Sequence, residues 1–153
     1  MSTPILDRLR EQYPEARVEH GTIVLEIAHA ELAAVARRLH GALGFDLLLD
    51  VTAVDWPQRM PRFEVVHHFY STTQHVRLRL KTCVAEADPV VVSLVPLYGS
   101  AAFMERECHD MYGIVFRGNP DLRPILLYEG FTGHPLRKDY AKEHEQPLVR
   151  YRS

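Results

Sequence analysis

The sequence predicts a two-layer α+β domain, helices packed on a mixed and mostly antiparallel sheet, followed by an extended C-terminal segment. Three observations carry this prediction. Short stretches of alternating apolar and polar residues recur through the first two thirds of the chain, they are interleaved with three stretches of helical spacing, and the texture changes at Arg117. The last 37 residues hold four Pro and three Gly, against six and five in the preceding 116. That is a turn-rich composition for an extended segment, so the chain divides into a core, 1–116, and a tail, 117–153.

The elements follow in order. Thr3 before Pro4 is an N-cap with proline at the first helical position, and Ile5, Leu6 and Leu9 form one apolar stripe on a short helix ending near Tyr13-Pro14. A hairpin turns at His20-Gly21 into a strand where Ile23, Leu25 and Ile27 share a face. Leu32, Val35, Ala36, Leu39 and Leu43 recur at helical spacing over about residues 30–43, and Gly44 closes that helix. Residues 46–56 read as a strand with Leu47, Leu49, Val51 and Ala53 on one face, ended by Asp55-Trp56-Pro57. A four-residue loop at 71–74 would pair Tyr70 with His75, Phe69 with Val76, His67 with Leu78, Val65 with Leu80 and Glu64 with Lys81. One face of that hairpin is then apolar, with His67 as a satisfied core histidine, and the other carries His68, His75, Arg77, Arg79 and Lys81. Val90 to Val95 is a further strand stopped by Pro96, and Ser100 caps a helix running through Tyr112. The tail keeps Ile125, Leu126, Leu127, Tyr128 and Phe131, which a solvated linker would not, so it needs a surface to lie on.

Composition excludes several functions. At 46% hydrophobic and 25% charged, with a formal charge of -2, the chain lacks the basic excess of a nucleic-acid binder. Two cysteines, Cys83 and Cys108, cannot build a four-cysteine cluster or zinc site. The charged N-terminus is no secretory signal, and the longest nearly apolar run, Pro89 to Tyr98, is far short of a bilayer span, so the protein is expected to be cytoplasmic or peripheral to a membrane. No phosphate loop, dinucleotide fingerprint or nucleophile elbow is present. A metal set of His68, His75 and Glu64 is a minimal ligand combination, but Arg77 and Arg79 among these residues would repel a cation.

The helix bearing Glu105-Arg106-Glu107-Cys108-His109-Asp110 is the most unusual local sequence. With Met104, Cys108 and Met111 turned inward, Arg106 and Asp110 lie on the opposite face beside Phe103, His109 and Glu105. Phe103 amid paired charges points to a second surface that covers this face and desolvates it.

E-R-E-x-x-D at Glu105 to Asp110, Gly113-Ile114-Val115-Phe116, Asn119-Pro120-Asp121-Leu122-Arg123-Pro124-Ile125-Leu126 and Gly133-His134-Pro135-Leu136-Arg137-Lys138-Asp139-Tyr140, with Val54-Asp55-Trp56-Pro57 ahead of them, resemble the C subunit family of NADH-quinone oxidoreductase, respiratory complex I. The match covers about 36 residues in order and spacing, with one departure: Asn119 stands where the family usually has His or Lys. The resemblance implies a hydrophilic scaffold subunit of the peripheral arm, peripheral on the cytoplasmic side of the cell membrane. It implies no catalytic residue, metal or cofactor in this chain, since the flavin and clusters belong to partner subunits. The tail would wrap the D subunit, which helps form the quinone pocket, and the chain would also touch B- and I-type neighbours. Phe103, Glu105, Arg106, Glu107, Asp110, Arg123, Arg137, Lys138 and Asp139 become candidates for subunit-interface contacts. The equivalent subunit of a membrane-bound hydrogenase or another complex-I-like oxidoreductase is the alternative in the same class. A free-standing metal-dependent enzyme and a generic interaction module are alternatives from other classes.

Overall fold

In the protein's structure, a computed structural model, residues 4–144 and 146 are described. The core elements run α1 (Pro4–Arg10), β1 (Arg17–Glu19), β2 (Thr22–Ala28), α2 (Leu32–Gly41), β3 (Leu47–Asp55), β4 (Phe63–Ser71), β5 (Val76–Val84), β6 (Val90–Val92), α3 (Ala101–Tyr112) and β7 (Val115–Arg117). A 3-10 turn, His29–Glu31, leads into α2. The expected Thr3 cap lies outside the described residues.

Five strands form one sheet in the order β1-β2-β5-β4-β3, antiparallel except where β2 runs parallel to β5. The predicted mixed, mostly antiparallel sheet is therefore present. Ile5, Leu6 and Leu9 of α1, Leu32, Val35 and Leu39 of α2, and Ala101 and Cys108 of α3 share one buried cluster with Ile23, Leu25, Val51, Val65, Phe69, Leu78 and Leu80 of the sheet. The hydrophobic effect on that single face holds the two layers together. At the predicted hairpin turn, His20 and Gly21 both take positive φ, 49° and 76°, as a primed turn between twisted strands requires.

Four local expectations are corrected. The β4–β5 loop is 72–75, so Ser71 pairs with Val76, Tyr70 with Arg77, Phe69 with Leu78, His67 with Leu80 and Glu64 with Cys83. His75 adopts φ 54° and closes the loop through a 2.9 Å bond from its N–H to the Ser71 carbonyl, while Asp46 accepts from both the N–H and the hydroxyl of Thr72. These contacts move every partner by two positions and leave the faces unchanged, and Lys81 still reaches Glu64 diagonally at 3.2 Å. In β3 a bulge at Leu49 breaks the alternation, burying Leu48, Val51 and Ala53 and leaving Leu47 and Leu49 exposed. Ser100 does not cap α3 with its side chain; its hydroxyl donates to the Leu48 carbonyl of β3 at 3.2 Å. Strand β6 stops at Val92 and lies parallel to β7, a strand that straddles the expected boundary at 116/117.

His67 is buried as expected but not satisfied: neither ring nitrogen has a hydrogen-bond partner. The sequence could place it on the apolar face, but whether a polar group would face it there depended on packing across the layers.

Candidate functional site: a clamped C-terminal arm on helix α3

The surface that covers the charged face of α3 is the chain's own tail. Beyond β7 the backbone forms turns rather than regular elements among the described residues, and it is held to the core by side chains that capture its main chain.

Three residues of α3 act in turn. Glu105 is fully buried and accepts from the Ser93 hydroxyl, the Leu94 N–H and the Asn119 side-chain amide, at 2.7, 2.7 and 2.8 Å. No cation is among these partners, so burial pushes its carboxyl above the usual carboxylate range although all three donors favour the charged form. Arg106 forks onto the carbonyls of Arg123 and Pro124, 2.9 Å each, with Asp121 at 3.9 Å. Asp110, also buried, gathers three consecutive backbone N–H groups: Ile125 at 2.8 Å, Leu126 at 2.9 Å and Leu127 at 3.3 Å, all on one carboxylate oxygen. Arg106 and Asp110 are thus joined through the tail rather than by the i,i+4 pair that their spacing suggested.

The end of α3 fixes the next stretch. Gly113 ends the helix at φ 75°, and a Cβ there would stand 2.5 Å from His134 Nε2 and 2.7 Å from Arg137 Nη2. Glycine is required both for the left-handed cap and for the close approach of the tail. His134 bonds the Asp110 carbonyl through Nδ1 (3.0 Å), the Leu136 N–H donates to the Met111 carbonyl (3.1 Å), and Arg137 Nε donates to the Tyr112 carbonyl (2.6 Å) while its guanidinium lies over the Phe63 ring.

A second clamp sits where β3 meets β4. Arg62 grips Asp55 with two bonds of 2.7 and 2.8 Å, and its remaining nitrogen reaches Glu86 (2.7 Å) and Asp139 (3.0 Å). The Asp55 side chain is fully buried; it also accepts from the Lys138 N–H at 2.7 Å. The Arg62 guanidinium, foremost, and the Lys138 N–H hold the Asp55 carboxyl below the usual range against the pull of burial.

Of the residues predicted for the site, Glu105, Arg106, Asp110, Arg137, Lys138 and Asp139 come together on the tail–core seam, Lys138 through its main chain. Arg123 gives the seam its carbonyl, while its exposed side chain pairs with Asp121 at 2.8 Å. Phe103 and Glu107 face outward, Phe103 with 62% of its surface open. Sequence reasoning missed Asp55, Arg62, Ser93 and Gly113 as members of the seam. Asn119, set apart as a departure from the family pattern, is the amide that meets Glu105. As for the metal alternative, among the described residues no three His, Cys, Asp or Glu are grouped to hold an ion.

This construction defines a class: an α+β domain carrying a clamped arm that turns Leu126, Leu136, Ile125 and Tyr128 toward the exterior. The chain belongs to the respiratory-chain NADH dehydrogenase 30 Kd subunit family, whose profile matches residues 25–146. It is 45% identical over 125 residues to the C subunit of NADH-quinone oxidoreductase from Ruegeria sp. (strain TM1040), covering 80% of this chain and 62% of that protein. The corresponding C subunit from Rhodobacter capsulatus is 45% identical over 127 residues, 82% and 63% of the two chains, and that from Brucella abortus (strain 2308) 43% over 142, 92% and 70%. The chain therefore spans between three fifths and seven tenths of the length of these curated relatives. Among solved structures, a trypsin-resistant fragment (1-134) of Nqo5 superposes with a TM-score of 0.69 at 30% identity, covering 77% of this chain and 99% of the fragment. A chain of the archaeal membrane-bound sulfane sulfur reductase shares the fold, with a TM-score of 0.80 at 23% identity over 91% and 85% of the two chains.

Proposed function

We propose that this chain is a non-catalytic scaffold subunit of the peripheral arm of a proton-translocating NADH:quinone oxidoreductase, docking the quinone-site D subunit through its C-terminal arm. The observation that carries the reading is how the arm is held. Its anchors are mostly backbone groups, so the core fixes its course while Leu126 and Leu136 stay 62% and 50% exposed. Apolar side chains of that size left open, like that of Phe103, suit an apolar partner surface. Residues 1–116 serve as the core and 117–153 as the arm, a division of the kind suggested by the trypsin-resistant fragment of Nqo5.

On this reading Phe103 and Glu107 face the partner, while the buried charges of α3 shape the arm that it grips. The flavin and clusters reside on partner subunits, and B- and I-type subunits are further neighbours. The reading includes a peripheral position on the cytoplasmic side of the cell membrane; separately, no described helix is long and apolar enough to cross a membrane. The sequence relatives, rather than the fold shared with the sulfane sulfur reductase, favour NADH as the electron donor.

The test is affinity recovery from native membranes with the full chain as bait, beside Asp110→Ala. The wild type should recover a D-type subunit together with cluster-bearing subunits. Asp110→Ala should keep its circular dichroism but recover about ten-fold less, because three N–H groups lose their acceptor and the arm leaves its course. Equal recovery by both chains would sink the role assigned to the arm.

A further inference from the structure

The loop between β3 and β4, Trp56-Pro57-Gln58-Arg59-Met60-Pro61, is exposed throughout and holds the most open large apolar side chain among the described residues, Met60 at 97%. It is nonetheless an ordered turn. The Trp56 N–H donates to the Arg62 carbonyl at 3.0 Å, the Arg59 N–H to the Trp56 carbonyl at 2.9 Å, and the Arg59 guanidinium lies 3.9 Å from the centre of the Trp56 ring. Stacking holds the arginine and tryptophan together and leaves the methionine at the tip with no intramolecular cover.

Tryptophan, arginine and methionine are the side chains enriched at the buried centres of protein interfaces, and a loop already ordered loses little entropy on docking. The base of the loop is the Asp55–Arg62 pair, which also holds Lys138 and Asp139 of the arm. The loop therefore adjoins the arm to which docking is assigned above. Its surroundings argue against an anionic membrane as the occupant: Glu86 and Asp139 stand beside Arg62, and Arg59 is the one cation in the loop itself.

We propose that the 56–61 loop is a second docking element, Met60 entering an apolar pocket on a neighbouring protein subunit while Arg59, over Trp56, meets carboxylate or carbonyl groups at the pocket rim. The inference rests on the reading that the chain works within a multisubunit assembly.

Oxidation by hydrogen peroxide tests it, because the thioether takes one oxygen atom from the peroxide, which leaves as water, at a rate set by access to the sulfur. Peptide mass spectrometry would follow Met60 in the isolated full chain and in the assembly recovered with it, with half-buried Met104 and Met111 as internal references. Met60 should be oxidised about ten-fold more slowly in the assembly, and should stay protected after lipid is stripped with detergent. In a companion measurement, Met60→Asp should leave the melting temperature of the isolated chain unchanged and lower its incorporation about ten-fold. Equal oxidation rates in an intact assembly would overturn the inference and leave the role of the arm standing. Protection that vanishes with the lipid would overturn it in favour of a membrane contact. Failure of the bait to recover any assembly would defeat the proposed function, and this inference with it.

Discussion

His67 offers a direct test of the core. It projects from β4 between Val51 of β3 and Leu80 of β5, beside Phe69, and is wholly buried with both ring nitrogens unpartnered. Burial, aided by the neighbouring His68, lowers its pKa from 6.5 to about 3. In the unfolded chain the same imidazole titrates near its ordinary value. Its folded pKa is the depressed one, so the associated stability is complete above about pH 6.5 and is lost as pH falls from there toward 3. Between pH 7 and pH 5 the unfolded chain takes up a proton that the folded chain refuses, which removes about 2 kcal/mol of stability. His67→Leu abolishes this loss and relieves two unsatisfied buried nitrogens, for a gain of about 1 to 3 kcal/mol at pH 7. Urea unfolding at pH 7, 6 and 5, followed by circular dichroism, compares the slopes. The rest of the chain is common to both proteins, so the difference between the two curves isolates His67. Parallel curves would mean that the ring is hydrated or hydrogen-bonded in the folded protein, and would refute the reasoning.

Two further substitutions probe the seam. Arg62→Ala leaves the buried Asp55 carboxylate with the Lys138 N–H as its one hydrogen-bond donor among the described residues and should cost about 3 kcal/mol in urea unfolding at pH 7. The stability supplied by the pair is present above the ordinary carboxylate range and is lost as pH falls through the depressed pKa of Asp55, so the wild-type advantage should shrink below about pH 4. Gly113→Ala meets both a strained φ of 75° and the side chains of His134 and Arg137, and should cost at least about 1 kcal/mol. It should also speed tryptic cleavage after Arg137 and Lys138, whereas unchanged digestion would show that the arm does not depend on that approach.

What the sequence revealed follows the range of the interactions. The alternation in Val65, His67 and Phe69 against Leu78 and Leu80 is a local signal, and it placed the faces of the central hairpin correctly even with the register displaced. The displacement arose because His75 takes a left-handed conformation that a histidine adopts too seldom to be read from the sequence, and because Asp46, far off in sequence, braces Thr72. The bulge at Leu49 was illegible for a similar reason: five apolar or β-branched residues around it fit either phase of a strand. At the site, Glu105, Arg106 and Asp110 on one side of α3 marked the face that the tail covers, whereas Phe103, read with them as a sign of cover, faces outward. The identity of the cover could not be read, since Asp110 binds main-chain N–H groups, which look alike in every sequence. Three residues at 115–117 were too few to announce β7, whose partner β6 lies beyond an entire helix.

That choice of main-chain ligands has an evolutionary consequence. Asp110, Arg106 and Asp55 grip N–H and carbonyl groups that any residue but proline can offer at the N–H positions, so Ile125, Leu126, Leu127 and Lys138 are fixed in space without being fixed in kind. Such an arm works like a socket rail: the fittings that face outward can be exchanged one at a time to suit a changing neighbour, while the rail itself stays in register with the core.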